Sequence, residues 1–322
     1  MRGVIALTGA TGFIGSAIAR KLVQDGWSVR ALIRSPSSSA RLAGTTVQWV
    51  QGTFEDLDSL ERLVGDADVV VHCAGAVRGI TEADFYQANV EAVARLVHVA
   101  ASRNPAPRFL LISSLAAREP DVSPYAASKR MGEIALSKVA DRLTWTVLRP
   151  PAVYGPGDRE MLPLLRLMLR GIAPVIAPVV GRKGARFSML YVDDLADAVV
   201  KWLVSDSREN RTFELDDGHP GGYSWCEIVE TVERLRGKGV VRIRVPGPVL
   251  NLAAKLNTMA ASVIGYRPMF TPGKVRELRH PDWVCDNSMF CRVANWAPTV
   301  RLEEGLRHTL GLSASPAIGT RA

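Results

Sequence analysis

The run Thr8-Gly9-Ala10-Thr11-Gly12-Phe13-Ile14-Gly15 constrains this chain more than any other feature. It follows a short apolar stretch, Val4–Leu7, and opens a segment of helical periodicity, Phe13–Gln24, so its three glycines stand at a strand-to-helix turn. Gly9 permits the tight turn, Gly12 lets the backbone approach a pyrophosphate, and Gly15 lets the helix pack closely on the strand. The free N–H groups at the helix N-terminus then face the phosphates. In this context Gly9, Thr11, Gly12, Phe13, Ile14 and Gly15 are read as a dinucleotide cradle; the alternative is a tight turn that holds no ligand.

The remainder of the first 150 residues repeats the pattern. Short aliphatic runs at Val29–Ile33, Val47–Val50, Val69–Val71, Phe109–Ile112 and Thr146–Leu148 suit strands buried on both faces, and helix-period segments such as Ala83–Ala101 lie between them. Right-handed crossovers then give a doubly wound α/β fold, a parallel Rossmann-type sheet covered by helices on both faces. After Arg149 six prolines fall within thirty residues, which points to a smaller, loop-rich second lobe. The strand-helix signal Met189–Leu203 reads as a return to the sheet. The expected division is 1–155 and 188–215 for the dinucleotide domain, 156–187 and 216–312 for the substrate lobe, and a flexible tail over 313–322.

The end of the second strand bears on cofactor choice. An acid there binds the ribose hydroxyls of NAD, whereas a cation accommodates the 2′-phosphate of NADP. The sequence is Ala31-Leu32-Ile33-Arg34-Ser35, with no acid, so Arg34 favours NADP over NAD.

Composition excludes several classes. With 47% hydrophobic and 22% charged residues the chain is neither disordered nor fibrous. Four cysteines without a CxxC pair imply a reducing compartment and four packing residues, and no metal-ligand spacing occurs. The first strand begins too early to leave room for a signal peptide, so a cytoplasmic location is expected. The net charge of +8 is concentrated: Met161–Val192 has five cations and no acid, and Arg234–Arg276 has nine and no acid. A solvated face, a cleft for an anionic substrate and peripheral contact with an anionic membrane surface all fit that pattern. No nucleic-acid motif accompanies the charge, so nucleic acid is not an expected partner. Within the second basic stretch Val249, Leu252, Leu256, Met259 and Val263 recur at helical spacing, as on a helix packed on the lobe core, lining an apolar substrate site or lying at a membrane interface.

Tyr125-Ala126-Ala127-Ser128-Lys129 puts a phenol and an ammonium one helical turn apart. A neighbouring ammonium favours phenolate and is expected to lower the phenol's pKa, fitting Tyr125 for proton exchange with a carbinol or carbonyl oxygen. Ser114, at the end of the Phe109–Ser114 strand, is placed to hydrogen-bond that oxygen.

Together with His72-Cys73-Ala74-Gly75, Asn89-Val90, the segment Leu148–Gly157 and Tyr191-Val192-Asp193-Asp194, these motifs resemble the extended branch of the short-chain dehydrogenase/reductase superfamily, the NAD(P)-dependent epimerase/dehydratase family, over nearly the whole chain. The resemblance implies Tyr125 as acid-base, Lys129 as its partner that also holds the nicotinamide ribose, Ser114 orienting the substrate oxygen and Asn89 supporting the active-site helix. It further implies cofactor contacts at Ala74, Gly75, Pro150 and Val153, with His72 packed beside the cofactor. One departure stands at the adenine edge, where Thr53 replaces an expected acid. Many relatives are homodimers through a helix bundle containing the tyrosine helix.

The resemblance also narrows the reaction. Nucleotide-sugar members usually carry Asn where Ala152 stands and Arg where Phe187 stands, with Arg186 one place off; dehydratases need acids after the catalytic Ser, where Leu115-Ala116-Ala117 follow. Leu148–Gly157 and Arg267–Thr271 look instead like the hydroxysteroid dehydrogenase and dihydroflavonol reductase branch. The leading expectation is an NADP-linked oxidoreductase that interconverts a secondary alcohol and a ketone on an apolar or partly anionic small molecule, with Tyr154 and Arg186 as substrate-lobe candidates. The alternatives are a nucleotide-sugar epimerase with recycled NAD, and a non-catalytic NADP(H)-binding regulatory or assembly protein.

Overall fold

The six apolar runs form β1 (Val4–Thr8), β2 (Ser28–Ile33), β3 (Gln48–Gln51), β4 (Val69–His72), β5 (Arg108–Ile112) and β6 (Trp145–Arg149) in a computed structural model that describes residues 2–139, 141–176, 184–206 and 210–312. Between them lie α1 (Phe13–Gln24), α2 (Leu57–Val64), α3 (Glu82–Tyr86), α4 (Ala92–Ala101) and α5 (Pro124–Ser137). Beyond β6 come β7 (Ala152–Tyr154), α6 (Leu162–Leu169), β8 (Ile172–Ile176), β9 (Arg186–Phe187), β10 (Met189–Tyr191), α7 (Val192–Val204) and β11 (Arg211–Glu214). The C-terminal part contains β12 (Tyr223–Ser224), α8 (Trp225–Arg236), β13 (Val241–Val245), α9 (Gly247–Ile264), α10 (Pro272–Arg279), β14 (Asp282–Trp283), α11 (Ser288–Ala294) and α12 (Leu302–Leu310).

Seven strands pair in parallel in the order β11-β6-β5-β4-β1-β2-β3. The chain leaves β1 toward β2 on one side and returns to β4 on the other, so the sheet's topological switch point lies between β1 and β4, where a crevice opens at the strand carboxyl ends. Both faces are covered. One core layer joins Leu7 and Leu110 to Ile18 of α1 and Trp202 of α7; the opposite layer joins Ala6 and Leu111 to Leu60 of α2 and Leu96 of α4. A third core, around Tyr154, Met168, Tyr191, Val229 and Leu306, builds the second lobe.

Three features depart from the sequence reading. The segment expected as one helix over Ala83–Ala101 is broken by a π-helical turn, Gln87–Glu91, against which α5 packs so closely that a Cβ on Gly132 would lie 2.3 Å from the Asn89 carbonyl oxygen. The lobe expected over 216–312 is not uniform, because Phe290, Ala294 and Trp296 pack in the sheet's core beside α7. Cys226 is exposed on α8 and so is not a packing residue, unlike buried Cys285. Arg182, Lys183 and the tail 313–322 lie outside the described residues.

Candidate active site

The glycine turn and the loop after β4 meet at the switch point. Gly9 has φ +75°, and a Cβ there would lie 2.6 Å from the Ala74 nitrogen, so both the backbone conformation and the approach of the two loops require glycine. A Cβ on Gly15 would lie 2.1 Å from the Gly9 carbonyl oxygen. The Thr8 hydroxyl ties the loops together, 2.8 Å from His72 Nδ1 and accepting from the Ala74 N–H at 3.3 Å. Gly12 caps α1 without a side-chain hydrogen bond, and no acid stands in that helix's first turn. The positive end of α1 is therefore left to a ligand, and this cradle fits the pyrophosphate of a dinucleotide.

Beside the cradle, α5 carries Tyr125 and Lys129. Ser123 caps the helix by accepting from the Ala126 N–H at 3.0 Å, and Pro124 occupies the first helical position, which needs no N–H. The Ser114 side chain lies near enough to the Tyr125 phenol to act on its pKa, and the Tyr125 ring meets Phe85 edge-on at 6.1 Å. Lys129 is buried, and its Nζ would lie only 2.9 Å from a Cβ on Gly75. Asn89 is almost completely buried: its amide accepts from the Ala76 N–H (2.9 Å) and donates to the Ala76 carbonyl (3.0 Å) and to Ser128 Oγ (2.9 Å). One side chain thus fastens the Gly75 loop to the tyrosine helix, and the π-helical turn presents it there.

Electrostatics correct the expected effect of the ammonium. Burial first pushes the Tyr125 phenol up to about 12; nearby Ser114 pulls it down and the Glu277 carboxylate pushes it up again. Lys129 is not among the influences on the phenol. Its own pKa is lowered, chiefly by burial, against opposing pulls from Cys73 and Glu133. Sequence spacing located the pair but not the desolvation, which depends on what packs around it. Sequence reading also missed Glu277, which arrives from α10 and accepts from Ser123 Oγ at 2.5 Å and from Lys274 Nζ at 2.8 Å.

Arg34 is exposed just beyond β2. A second arginine accompanies it on the helical turn Pro36–Leu42: Arg41 donates to the Gly157 carbonyl at 3.3 Å, and its own carbonyl accepts from Arg20 at 3.3 Å. Burial, then the charges of Arg159 and Arg20, lowers the Arg41 pKa. Positive charge at Arg41, beside two further cations, suits an anion, whereas Arg34 also acts on the nearby Glu55 carboxylate.

The other sequence-derived residues divide. Pro150 follows β6 directly and its carbonyl accepts from the Leu115 N–H at 2.9 Å, while Val153, in β7, pairs with Leu190 of β10. His72 is fully buried and edge-on to Phe54 at 5.6 Å; desolvation, and secondarily Lys129, lowers its pKa to about 3, so it is neutral packing. Tyr154, proposed for the substrate lobe, is instead a fully buried core residue under Tyr191 and Gly305. The Arg186 guanidinium is held by the Gly221 and Gly222 carbonyls and lies 3.5 Å from Glu227, engaged within its own lobe.

Strand order, switch-point crevice and glycine cradle define the class: an NAD-binding oxidoreductase on a Rossmann sheet. The chain belongs to the NAD dependent epimerase/dehydratase family, whose profile matches residues 5–215, and hence to the extended short-chain dehydrogenases/reductases. It is 37% identical over 310 residues to the ceramide reductase of Caulobacter vibrioides, covering 96% of this chain and 94% of that one. It is 25% identical over 279 residues to a 3 beta-hydroxysteroid dehydrogenase/Delta 5→4-isomerase of Mycobacterium tuberculosis, covering 77% and 73%. Among solved structures, UDP-glucuronic acid 4-epimerase from Bacillus cereus in complex with NAD superposes with a TM-score of 0.73 at 20% identity, covering 96% and 97%, a likeness of fold. No helix among the described residues is long and apolar enough to cross a membrane.

Proposed function

We propose that this enzyme is an NADP-linked reductase that converts a ketone on a long-chain apolar molecule into a secondary alcohol, with ceramide-type lipids the first class to test. The observation that carries the reading is the grouping of Ser114 and Tyr125 with buried Lys129 beside Gly75 and the cradle. The 37% identity to a ceramide reductase along almost the full length of both chains supports the substrate class.

Gly9, Thr11, Gly12, Phe13, Ile14 and Gly15 hold the pyrophosphate, and Ala74, Gly75, Pro150 and Val153 border the nicotinamide half. When bound, the dinucleotide supplies the hydride. Ser114 donates a hydrogen bond to the carbonyl oxygen, and Tyr125 gives it the phenolic proton as charge develops there. The ketone gains hydride at carbon and a proton at oxygen. Burial of the phenol suits this direction, since a pKa near 12 keeps the proton in place at neutral pH. Lys129, aimed at the Gly75 loop, binds the ribose hydroxyls, and Asn89 positions that loop against α5. Epimerisation of a nucleotide sugar fits less well, because Arg186, the one arginine near the position such enzymes use, is engaged by Gly221, Gly222 and Glu227.

The first test is to denature the purified protein, identify any nucleotide it releases and then assay NADPH consumption with long-chain keto-lipids. Stoichiometric NAD⁺ release without ketone-dependent NADPH consumption would replace the reductase with an epimerase. Arg34 gives a second expected result. A charged hydrogen bond is worth about 1.5–3 kcal/mol, so Arg34→Ala should weaken NADPH binding about 10–100-fold and leave NADH binding nearly unchanged. Equal losses for the two nucleotides would remove Arg34 from the 2′-phosphate site.

A further inference from the structure

Helix α9 presents its apolar stripe to solvent. Only Gly247, Ala254 and Ala261 of this helix are buried, one narrow line along which small residues let it lie close to its neighbours. Val249, Leu252, Leu256, Met259 and Val263 form an outward stripe at alternating three- and four-residue spacing, and with Ile264 they are 54–87% exposed. Val263 and Ile264 are the two most exposed large apolar side chains among the described residues. A continuous apolar surface of this kind on a folded chain marks an interaction site. Of the sequence alternatives for this helix, packing of the stripe on the lobe core is thereby set aside: the stripe points away from the lobe.

The charge around the stripe selects the partner. No Asp or Glu occurs between Leu235 and Val275, a stretch with seven cations, of which Arg242, Arg267 and Lys274 pair with acids outside it. Arg244, on neighbouring β13, and Lys255, within α9, are exposed. A second copy of this chain would set the patch against itself, with exposed Arg244 and Lys255 facing their own counterparts. An anionic bilayer complements both halves of the patch, taking the apolar side chains below its headgroups and the cations at them.

The helix also lies one element away from Tyr125. It packs on α10, where Arg279 covers Gly247. That helix in turn covers the start of α5: Glu277 accepts from Ser123, Gly273 abuts Ser123 and Pro124, and Arg276 Nε donates to the Val122 carbonyl at 2.7 Å.

We infer that the outward face of α9 is a docking surface for the headgroup region of an anionic membrane, which sets the active-site end of α5 beside the bilayer. The docking stands independently of the reaction; delivery of a lipid ketone from that bilayer rests on the reductase reading above.

The test is co-sedimentation of the full chain with vesicles of phosphatidylglycerol and phosphatidylcholine, and with phosphatidylcholine alone, at low and high salt. Binding should require phosphatidylglycerol and fall about tenfold or more at high salt. Leu256→Asp/Met259→Asp should abolish sedimentation while turnover of a water-soluble ketone stays unchanged. Tyr125→Phe should bind vesicles like the parent protein, which separates failure of docking from failure of the catalytic reading. Three results would overturn the inference: no sedimentation at either salt, sedimentation that the double Asp variant retains, or a dimer in sedimentation velocity that the same variant dissociates, since that assigns the face to a second copy.

Discussion

Tyr125→Phe is expected to lower ketone reduction by roughly 10²–10⁴-fold, the usual contribution of a positioned general acid, and to leave NADPH affinity nearly unchanged. The substitution removes one oxygen and keeps the ring, so its edge-on contact with Phe85 and the packing of α5 persist. Ser114 is untouched by the substitution, so its proposed hydrogen bond to the carbonyl oxygen remains available. The pH profile gives a second readout. A phenol held near 12 is protonated throughout the neutral range, so reduction should be flat with pH there. The reverse oxidation needs phenolate and should rise about tenfold per pH unit until the phenol titrates. A Phe variant with full turnover would take the acid role from Tyr125, and a reduction rate that declines through about pH 7–8 would place the transferred proton on another group.

The parts of this molecule readable in the sequence are those whose information is local. All six apolar runs of the first 150 residues became parallel strands, and α1 spans the residues its periodicity indicated, because a strand buried on both faces and an amphipathic helix each write their pattern into adjacent residues. The cradle was legible for the same reason. What brings the site together is non-local. The Ser123–Glu277 hydrogen bond joins residues 154 apart in sequence, and nothing near Tyr125 in the chain announces a carboxylate from α10. Tyr154 illustrates the converse: its motif continues past β6 into β7, yet whether its ring lines a cleft or fills a core depends on Tyr191 and Gly305. The apolar stripe of α9 was plain in the sequence, but periodicity shows only that a helix has two faces, not which one is covered.

The second large effect concerns what holds α5 in register with the sheet. Glu133, one turn beyond Lys129, is 5% exposed and accepts from Arg149 of β6 through both carboxylate oxygens, at 2.8 Å from Nε and 2.5 Å from Nη2. Ser113, just past β5, donates to the same carboxylate at 2.6 Å. Burial alone would disfavour the Arg149 charge, and Glu133 more than restores it. A forked pair with its remaining lone pairs satisfied is stable while intact; without Glu133 the buried Arg149 keeps only the charge of Glu214, whereas without Arg149 the Glu133 carboxylate keeps Arg130 at 3.3 Å and Ser113. Glu133→Leu should therefore cost about 3–5 kcal/mol in denaturant unfolding and Arg149→Leu less, because Arg130 still faces Glu133, whereas the double variant, which leaves no lone buried charge, should recover most of the Glu133→Leu loss. The Ser113 hydroxyl donates to Glu133, so Ser113→Ala added to the Leu pair should recover a further fraction. Single variants that cost less than about 1 kcal/mol would mean that water reaches the pair and that it behaves as a surface ion pair, in which case α5 is held by packing alone.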